Sequence, residues 1–291
     1  PSQKYQVIKN VTAQKSLTVS EKDAAGKFNY ATFFPKPINH FENAGIVANW
    51  KHRENDFLDY NIQYLIPHLQ STRGPKIAVA DVNGDGLDDF YACGAKFQSG
   101  EMMIQQVNGG FISVDTSLFN ANAVCEDVDA TFFDADGNGT QDLYVVSGGN
   151  EQAVNSIALA DRLYLNDGKG HFRAAGPFLS QRYENKSCIA SADIDKDGDI
   201  DLFVGNMGMA GAFGQLRPSF IFKNDGKKEQ VHFEGAYDET IKINNLGLVT
   251  NAAFTDVNND TWPDLIVVGE WMSVNVFINI KGVFEKKEIP A

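Results

Sequence analysis

Cysteine is nearly missing from this chain: three occur in 291 residues, at positions 93, 125 and 188. An odd number without a CxxC pair excludes a disulfide scaffold and leaves Cys93, Cys125 and Cys188 as small buried hydrophobes. No apolar run approaches the ~20 residues of a membrane span, so the chain is not expected to insert into a bilayer. The opening PSQKYQVIKN does not have the form of a signal peptide either. Positive charge is scarce, with 25 Lys and Arg against 38 Asp and Glu, for a net charge of −13 and a pI near 4.8. A nucleic-acid partner is thereby excluded, because a phosphate backbone calls for a basic surface. Signatures of catalysis are missing too: there is no GxSxG elbow, HExxH helix or phosphate loop.

What is present is a chain able to bury a core. Hydrophobic residues make up 43% and aromatics 11%, and 26 glycines with 21 phenylalanines suit short strands joined by tight turns. The sequence also repeats. DVNGDGLDDFYACG begins at Asp81, DADGNGTQDLYVVSGG at Asp134, DIDKDGDIDLFVGN at Asp193 and DVNNDTWPDLIVVGE at Asp256, so the starts lie 53, 59 and 63 residues apart. A short strand precedes each loop (KIAVADV, ATFFDAD, IASADID, NAAFTDV), and the loop itself runs into a second. A third follows (EMMIQQV, DRLYLND, SFIFKND, SVNVFIN), then a Gly/Asn turn and a fourth beginning GFISV, HFRAA, HFEGA or VFEKK. Turn residues bounding β-branched and aromatic runs are hairpin signals. Each unit is therefore a four-stranded antiparallel sheet, and the fold class is all-β. Sheets that cannot bury both faces alone pack radially as the blades of a β-propeller; a flat sandwich is the alternative. The predicted blades span 76–128, 129–187, 188–249 and 250–291, with residues 26–75 as a connecting segment.

The acidic loops read D-x-[DN]-x-[DN]-G-x-x-D. Oxygen side chains occupy positions 1, 3, 5 and 9 in every copy: Asp81, Asn83, Asp85, Asp89; Asp134, Asp136, Asn138, Asp142; Asp193, Asp195, Asp197, Asp201; Asp256, Asn258, Asp260, Asp264. Position 7 (Leu87, Thr140, Asp199, Trp262) varies freely, as it would if only its backbone carbonyl were used. Alternating hard oxygens on a tight loop suit Ca²⁺, which takes six to eight such ligands at about 2.3–2.6 Å, and up to four ions are expected. Metal-free Asx-rich turns are the alternative. An EF-hand is excluded, since its position 12 needs a bidentate Glu between helices, whereas Ala92, Val145, Val204 and Val267 stand there inside predicted strands. Position 6 is Gly86, Gly139 and Gly198, where the chain must turn sharply. Thr261 replaces that glycine in the fourth copy, whose site is expected to be weaker or distorted.

These residues resemble the FG-GAP/VCBS repeats, the calcium-loop blades also seen in integrin α-subunit propellers. HRENDFLDYNIQYLIPHLQSTRGPKIAVADVNGDGLDD, SGG…DRLYLNDGKGHF and GLVTNAAFTDVNNDTWPDLIVVGEW are similar to the propellers of large bacterial surface proteins that carry ASPIC/UnbV modules. KYQVIKNVTAQKSLTVSEKDA is similar to the last strands of such a module, making residues 1–25 its tail; the alternative makes residues 4–33 a degenerate blade. The resemblance implies a secreted or outer-membrane-surface location and a binding role. Millimolar calcium outside cells fits such loops.

A protein or glycan ligand is expected on the face away from the acidic loops, where the connections are long, because binding usually resides in long loops on a rigid scaffold. Asn150, Glu151, Phe213, Arg217, Glu270 and Trp271 are the candidates there. The rival reading is a polysaccharide-active enzyme, a lyase or hydrolase, which needs a deep groove with a base and a cation. His52, Glu54, Asp56 and His68 form the one compact His/acid cluster from which it could draw an acid and a base. The plainer reading of 52–68 is a connecting segment whose Phe57, Tyr60, Tyr64 and Leu65 dock onto the first blade.

Overall fold

The computed structural model describes residues 3–14, 16–29, 34, 45, 48–176, 183–226, 231–236, 243 and 246–288. The chain divides into two compact units, 1–46 and 47–291. In the first, β1 (Lys4–Tyr5) pairs antiparallel with β2 (Gly26–Lys27), and a 3₁₀ turn at Glu21–Asp23 is capped by the Ser20 side chain. Positions 30–33, which the degenerate-blade reading includes, lie outside the described residues.

Among the described residues, the second unit holds four antiparallel sheets, each a four-stranded meander. Sheet I is β3 (Ile77–Ala80), β4 (Asp89–Ala92), β5 (Glu101–Gln105) and β6 (Phe111–Val114). Sheet II is β7 (Glu126–Phe133), β8 (Asp142–Gly148), β9 (Arg162–Asn166) and β10 (Phe172–Ala174). Sheet III is β11 (Asn185–Ala192), β12 (Asp201–Gly208), β13 (Phe220–Asn224) and β14 (Phe233–Ala236). Sheet IV is β15 (Leu248–Thr255), β16 (Asp264–Glu270), β17 (Asn275–Ile280) and β18 (Val283–Lys287). The four acidic loops join the first and second strands, as the repeat predicts. The all-β architecture is consistent with a β-propeller.

The sheets stack in sequence order through three separate cores. Ala78, Tyr91 and Met102 of sheet I meet Leu143, Val145 and Tyr164 of sheet II. The other face of sheet II, with Tyr144, Val146 and Leu163, meets Leu202, Val204 and Phe222 of sheet III. Cys188, Phe203 and Ile221 on the far side of sheet III meet Val249, Leu265 and Phe277 of sheet IV. The first strands lie toward one another: β3 packs on β7, β7 and β8 on β11, and β11 and β12 on β15. Strands of the inner sheets are covered on both faces, which is why β8 and β12 read as unbroken buried runs. A short helix that the repeat pattern does not announce, α1 (Thr116–Asn120), wedges Phe119 between sheets I and II. Its ring lies 5.3 Å from Tyr91 and 5.0 Å from Tyr164, and burying a side chain of that size stabilises by roughly 1.5–3 kcal/mol.

β7, β11 and β15 begin at 126, 185 and 248, ahead of the predicted boundaries at 129, 188 and 250. The reason is a β-bulge in each. The register skips Val128, Ser187 and Thr250, which breaks the period-two alternation that the sequence reading follows. The three bulge residues line a single cavity of about 160 Å³, together with Lys76, Glu126 and Lys186.

Candidate functional site

Each acidic loop is a self-bonded turn before any ion is considered. In the first, the Asp81 carboxylate accepts backbone N–H groups from Gly84 (2.8 Å), Asp85 (3.2 Å) and Gly86 (2.8 Å). Burial raises its pKa, but these hydrogen bonds outweigh it and hold Asp81 below the usual carboxylate range. The position-7 amides of Leu87, Thr140, Asp199 and Trp262 donate to the position-5 side chains of Asp85, Asn138, Asp197 and Asp260 at 2.7–2.9 Å. Position 6 is left-handed throughout, with φ of 85°, 88° and 101° at the glycines and 75° at Thr261. Thr261 N–H still reaches Asp256 at 2.7 Å, so the fourth loop keeps the turn at the cost of a β-branched residue in the αL region. Position 4 is left-handed too, at Gly84, Gly137, Lys196 and Asn259. Nothing in the variable "x" of the motif announces that.

The position-9 aspartates do more than face the loop. Asp89, Asp142, Asp201 and Asp264 are buried, and each accepts at one oxygen the amide of loop position 2: Val82, Ala135, Ile194 and Val257, at 2.9–3.0 Å. The other oxygen accepts an amide at the end of the third strand: Gln105, Asn166, Asn224 and Asn279, at 2.7–2.8 Å. One carboxylate thus ties the first hairpin to the third strand. Burial, with help from Asp136 and Asp134, lifts Asp142 to about 6, and burial with Asp195 and Asp197 lifts Asp201 to about 7.

A second recurrent device sits at the third-strand ends, which the sequence pattern marks only as turns. Asn166 donates through Nδ2 to the Val82 carbonyl (2.7 Å), Asn224 to Ala135 (3.1 Å) and Asn279 to Ile194 (2.8 Å). Each of these asparagines latches its own sheet to the acidic loop of the sheet before it. The signal is an asparagine at the same place in each third strand, followed by Asp at Asn166 and Asn224 but by Ile280 at Asn279.

Two loops bring three carboxylates together. Ligand oxygens of Asp134, Asp136 and Asp142 lie within 4.8 Å of one another, as do those of Asp193, Asp195 and Asp197. In the third loop Oδ1 of Asp193 and Oδ1 of Asp195 are buried without a hydrogen-bond partner, while Asp195 Oδ2 is paired to Lys223 at 3.0 Å. Two orphaned anionic oxygens facing a third carboxylate are the donor set a hard divalent cation satisfies. The acidic clusters can therefore hold a metal ion.

Residues 134–204 match the family model of the FG-GAP-like repeat. That stretch carries the second and third acidic loops in full. No curated protein matches the chain. Outside the matched residues, the acidic loops of sheets I and IV share the turn geometry of the other two.

On the opposite face the six expected ligand residues do not form one open patch, because residues 51–73 run across it. Arg53 N–H donates to Gln98 at 2.6 Å, and Gln98 returns a bond to the Lys51 carbonyl, which fixes the strap to sheet I. Asn55 donates to Glu151 (2.7 Å) and Gln63 to Asn150 (3.3 Å) on sheet II. Gln63 also accepts the Phe213 amide of sheet III (2.6 Å), while Arg73 and His68 reach Glu270 of sheet IV at 2.5 and 3.1 Å. At its centre Asp59 is buried; its carboxylate accepts from Gln70 N, Ser71 N, Ser71 Oγ and Asn150 Nδ2. Burial pushes Asp59 up, and these bonds more than reverse it.

Asn150 and Glu151 thus serve the strap, and Asn150 is only 5% exposed. Arg217 stands apart on Glu184 at 3.7 Å. Phe213 and Trp271 do come together, edge to face at 4.8 Å, with Trp271 70% exposed. The docking expected of residues 57–65 is corrected: the strap spans four sheets rather than one, and Tyr64 and Leu65 point outward, 81% and 97% exposed. The compact His/acid cluster is divided as well. His52 pairs with Glu54 at 2.8 Å, whereas His68 lies with Arg73 and Glu270. Beneath the strap, Glu126 is buried against Gly149 with Oε2 lacking a hydrogen-bond partner; burial first, then Glu151 and Glu54, push its pKa well up.

Proposed function

We propose that this chain is a calcium-stabilised β-propeller-type binding module of a secreted or surface-exposed bacterial protein, engaging a protein or glycan on the face that carries the strap. The observation that carries the metal reading is the pair of orphaned buried oxygens, Asp193 Oδ1 and Asp195 Oδ1, beside Asp197. Calcium at each loop would pin the first hairpin and relieve repulsion among its carboxylates. Among the described residues no helix is long and apolar enough to cross a membrane.

Support for the binding reading lies in what the strap displays. Leu58, Tyr60, Ile62, Tyr64 and Leu65 are exposed on it, and Trp271 stands exposed on the same side. A soluble surface rarely shows so many large apolar groups without a partner, and Tyr and Trp are the residues on which binding energy concentrates. The enzyme alternative needs a roomy groove. The cavity beside Glu126, at about 160 Å³, is smaller than the 300–1,000 Å³ of ordinary ligand pockets.

The test is a glycan and protein-fragment array probed with calcium and with EDTA, using wild type and the Tyr64→Ala/Leu65→Ala double variant. A hit that needs calcium and is lost in the double variant is expected. A hit indifferent to both changes overturns the assignment of the face, and cleavage of a bound glycan overturns the non-enzymatic reading.

A further inference from the structure

The cavity beneath the strap is shaped by recurrent backbone features. Its wall takes Val128, Ser187 and Thr250, the bulge residues of sheets II, III and IV, and bulges are over-represented beside active sites, where they re-aim a side chain. Two glycines bring the backbone in close. A Cβ at Gly148 would lie 2.3 Å from the Lys186 carbonyl, and one at Gly149 would lie 2.2 Å from Glu126 Oε2. The strap contributes Gln70 and Arg73 to the same wall.

The polar lining is one-sided. Arg73, Lys76 and Lys186 stand on it against a single carboxyl, that of Glu126. The carboxylates that pair with the three cations are not part of the wall: Glu270 holds Arg73, Asp129 holds Lys76 at 2.7 Å and Asp161 holds Lys186 at 3.1 Å. An ammonium has three N–H donors, and Lys76 otherwise reaches only the Ser187 carbonyl, at 3.4 Å. Arg73 engages Nε on Gln70 and one terminal nitrogen on His68 and Glu270, which leaves the other terminal nitrogen for a ligand. Glu126 is 5% exposed, and its Oε2 is buried without a hydrogen-bond partner. Burial, then Glu151, Glu54 and Asp127, push its pKa well up, and Lys96 opposes them. Glu126 is thereby a neutral acid with an O–H to donate. Donors crowd the wall, and a buried polar group left unpartnered calls for a ligand or a water to answer it.

We propose that this cavity binds one small carboxylate, a free hydroxy or keto acid that the donors of Arg73, Lys76 and Glu126 surround. Size sets the class. The cavity measures about 160 Å³, close to the ~150 Å³ that takes up benzene, so it accepts a molecule of about six non-hydrogen atoms. The acid's carboxylate suits Lys76 and Arg73, its hydroxyl or keto oxygen accepts from Glu126, and its carbon end meets Val128 and Met207 on the same wall. An ammonium ligand on an ionised Glu126 is the competing chemistry, and the three cations of the wall oppose it. At long range the net charge of −13 slows an anion's approach, so the affinity comes from the local donors. Neither calcium nor a ligand on the strap face is needed for it.

Calorimetry of the full chain at mildly acidic pH tests it, with lactate and pyruvate as probes. Lactamide keeps the shape and loses the charge, ethylammonium reverses the charge, and glucuronate is a far larger carboxylate. One site per chain is expected for lactate or pyruvate, with lactamide at least about tenfold weaker and the other two silent. Glu126 is faced by Glu151 and Lys96 from the loops of sheets II and I, by Glu54 with its partner His52 from the strap, by Asp127 beside it, and by Arg73, Lys76 and Lys186 on the cavity wall. Once ionised it opposes the ligand's carboxylate, so wild-type affinity is expected to fall as pH rises, and Glu126→Gln to flatten that profile. Lys76→Met is expected to weaken binding by about tenfold or more. Should that variant lose cooperative melting, Thr250→Leu fills the cavity without touching an ion pair and is expected to abolish binding. No heat from either acid, lactamide bound as tightly, ethylammonium or glucuronate bound in their place, a flat wild-type profile, or undiminished binding by Thr250→Leu each overturns the proposal.

Discussion

Asp195 and Asp201 sit six residues apart in one loop yet hold different work, and substitution separates them. Asp201 keeps two buried amides satisfied, those of Ile194 and Asn224. Asp201→Ala orphans both donors at about 1–3 kcal/mol each, so a loss of roughly 2–6 kcal/mol is expected in urea unfolding, with or without calcium. Asp195 has one unpartnered oxygen and a partly exposed ion pair with Lys223. Asp195→Ala is expected to leave stability in EDTA within about 0.5 kcal/mol while weakening calcium binding by calorimetry at least about tenfold. The same loops carry a pH signature. Asp201 and Asp142, raised to about 7 and about 6, sit above the ~3.9 of an unfolded aspartate. In the metal-free protein their contribution to stability is therefore present below about pH 4 and lost as pH rises through about 6–7, because the folded state holds the extra protons. If calcium occupies these loops as proposed, it must displace those protons. Its apparent affinity should fall as pH drops from about 8 to about 6, with proton release visible as a buffer-dependent binding enthalpy; a flat profile contradicts this assignment.

At the scale of elements, the strap is the part whose role depends most on single bonds. Asp59 gathers Gln70, Ser71 and Asn150 into one buried knot. Asp59→Ala leaves several buried donors unpaired, so proteolytic nicking between residues 51 and 73 should quicken by about tenfold or more, while sheets I to IV keep their far-UV signal. Unchanged cutting would mean that the strap is held by its flanks instead. Little of this was legible beforehand. The acidic loops, the strands and their meander order were, because period-two alternation and Asx-Gly turns act locally and repeat. The bulges at Val128, Ser187 and Thr250 shift the alternation by one residue and hid the true starts of β7, β11 and β15. Helix α1 is five residues long and lies outside the repeated strand pattern. The strap's partners lie up to 202 residues away in sequence, as for His68 and Glu270, and polar contacts at that separation leave no periodic trace. The sequence marks Asn150 and Glu151 as long-loop candidates for a ligand, but whether they meet a ligand or their own chain depends on where 51–73 runs.

At the scale of the whole molecule, the decisive quantity is how four charged loops couple to one serial stack. The chain carries a net charge of −13, and self-repulsion of that kind opposes compaction. Each position-9 aspartate links its loop to its own third strand, and each third-strand asparagine links that strand to the preceding loop, as Asn224 does to Ala135. Loosening one loop therefore loosens two sheets. Calcium bound at about a hundred times its dissociation constant adds roughly 2.7 kcal/mol per site, and in a domain of this size each 1 kcal/mol moves Tm by about 2–4 °C. Chelation is thus expected to lower Tm by about 5–10 °C for every occupied site. Because the latches run from sheet to sheet, the transition should stay single rather than split into four. Hydrogen exchange should rise first at Asp81–Asp89 and its three counterparts and at the amides of Asn166, Asn224 and Asn279, ahead of the outer strands. A Tm indifferent to EDTA would remove calcium from the account of stability, whereas stepwise melting would keep the ion and discard the coupling.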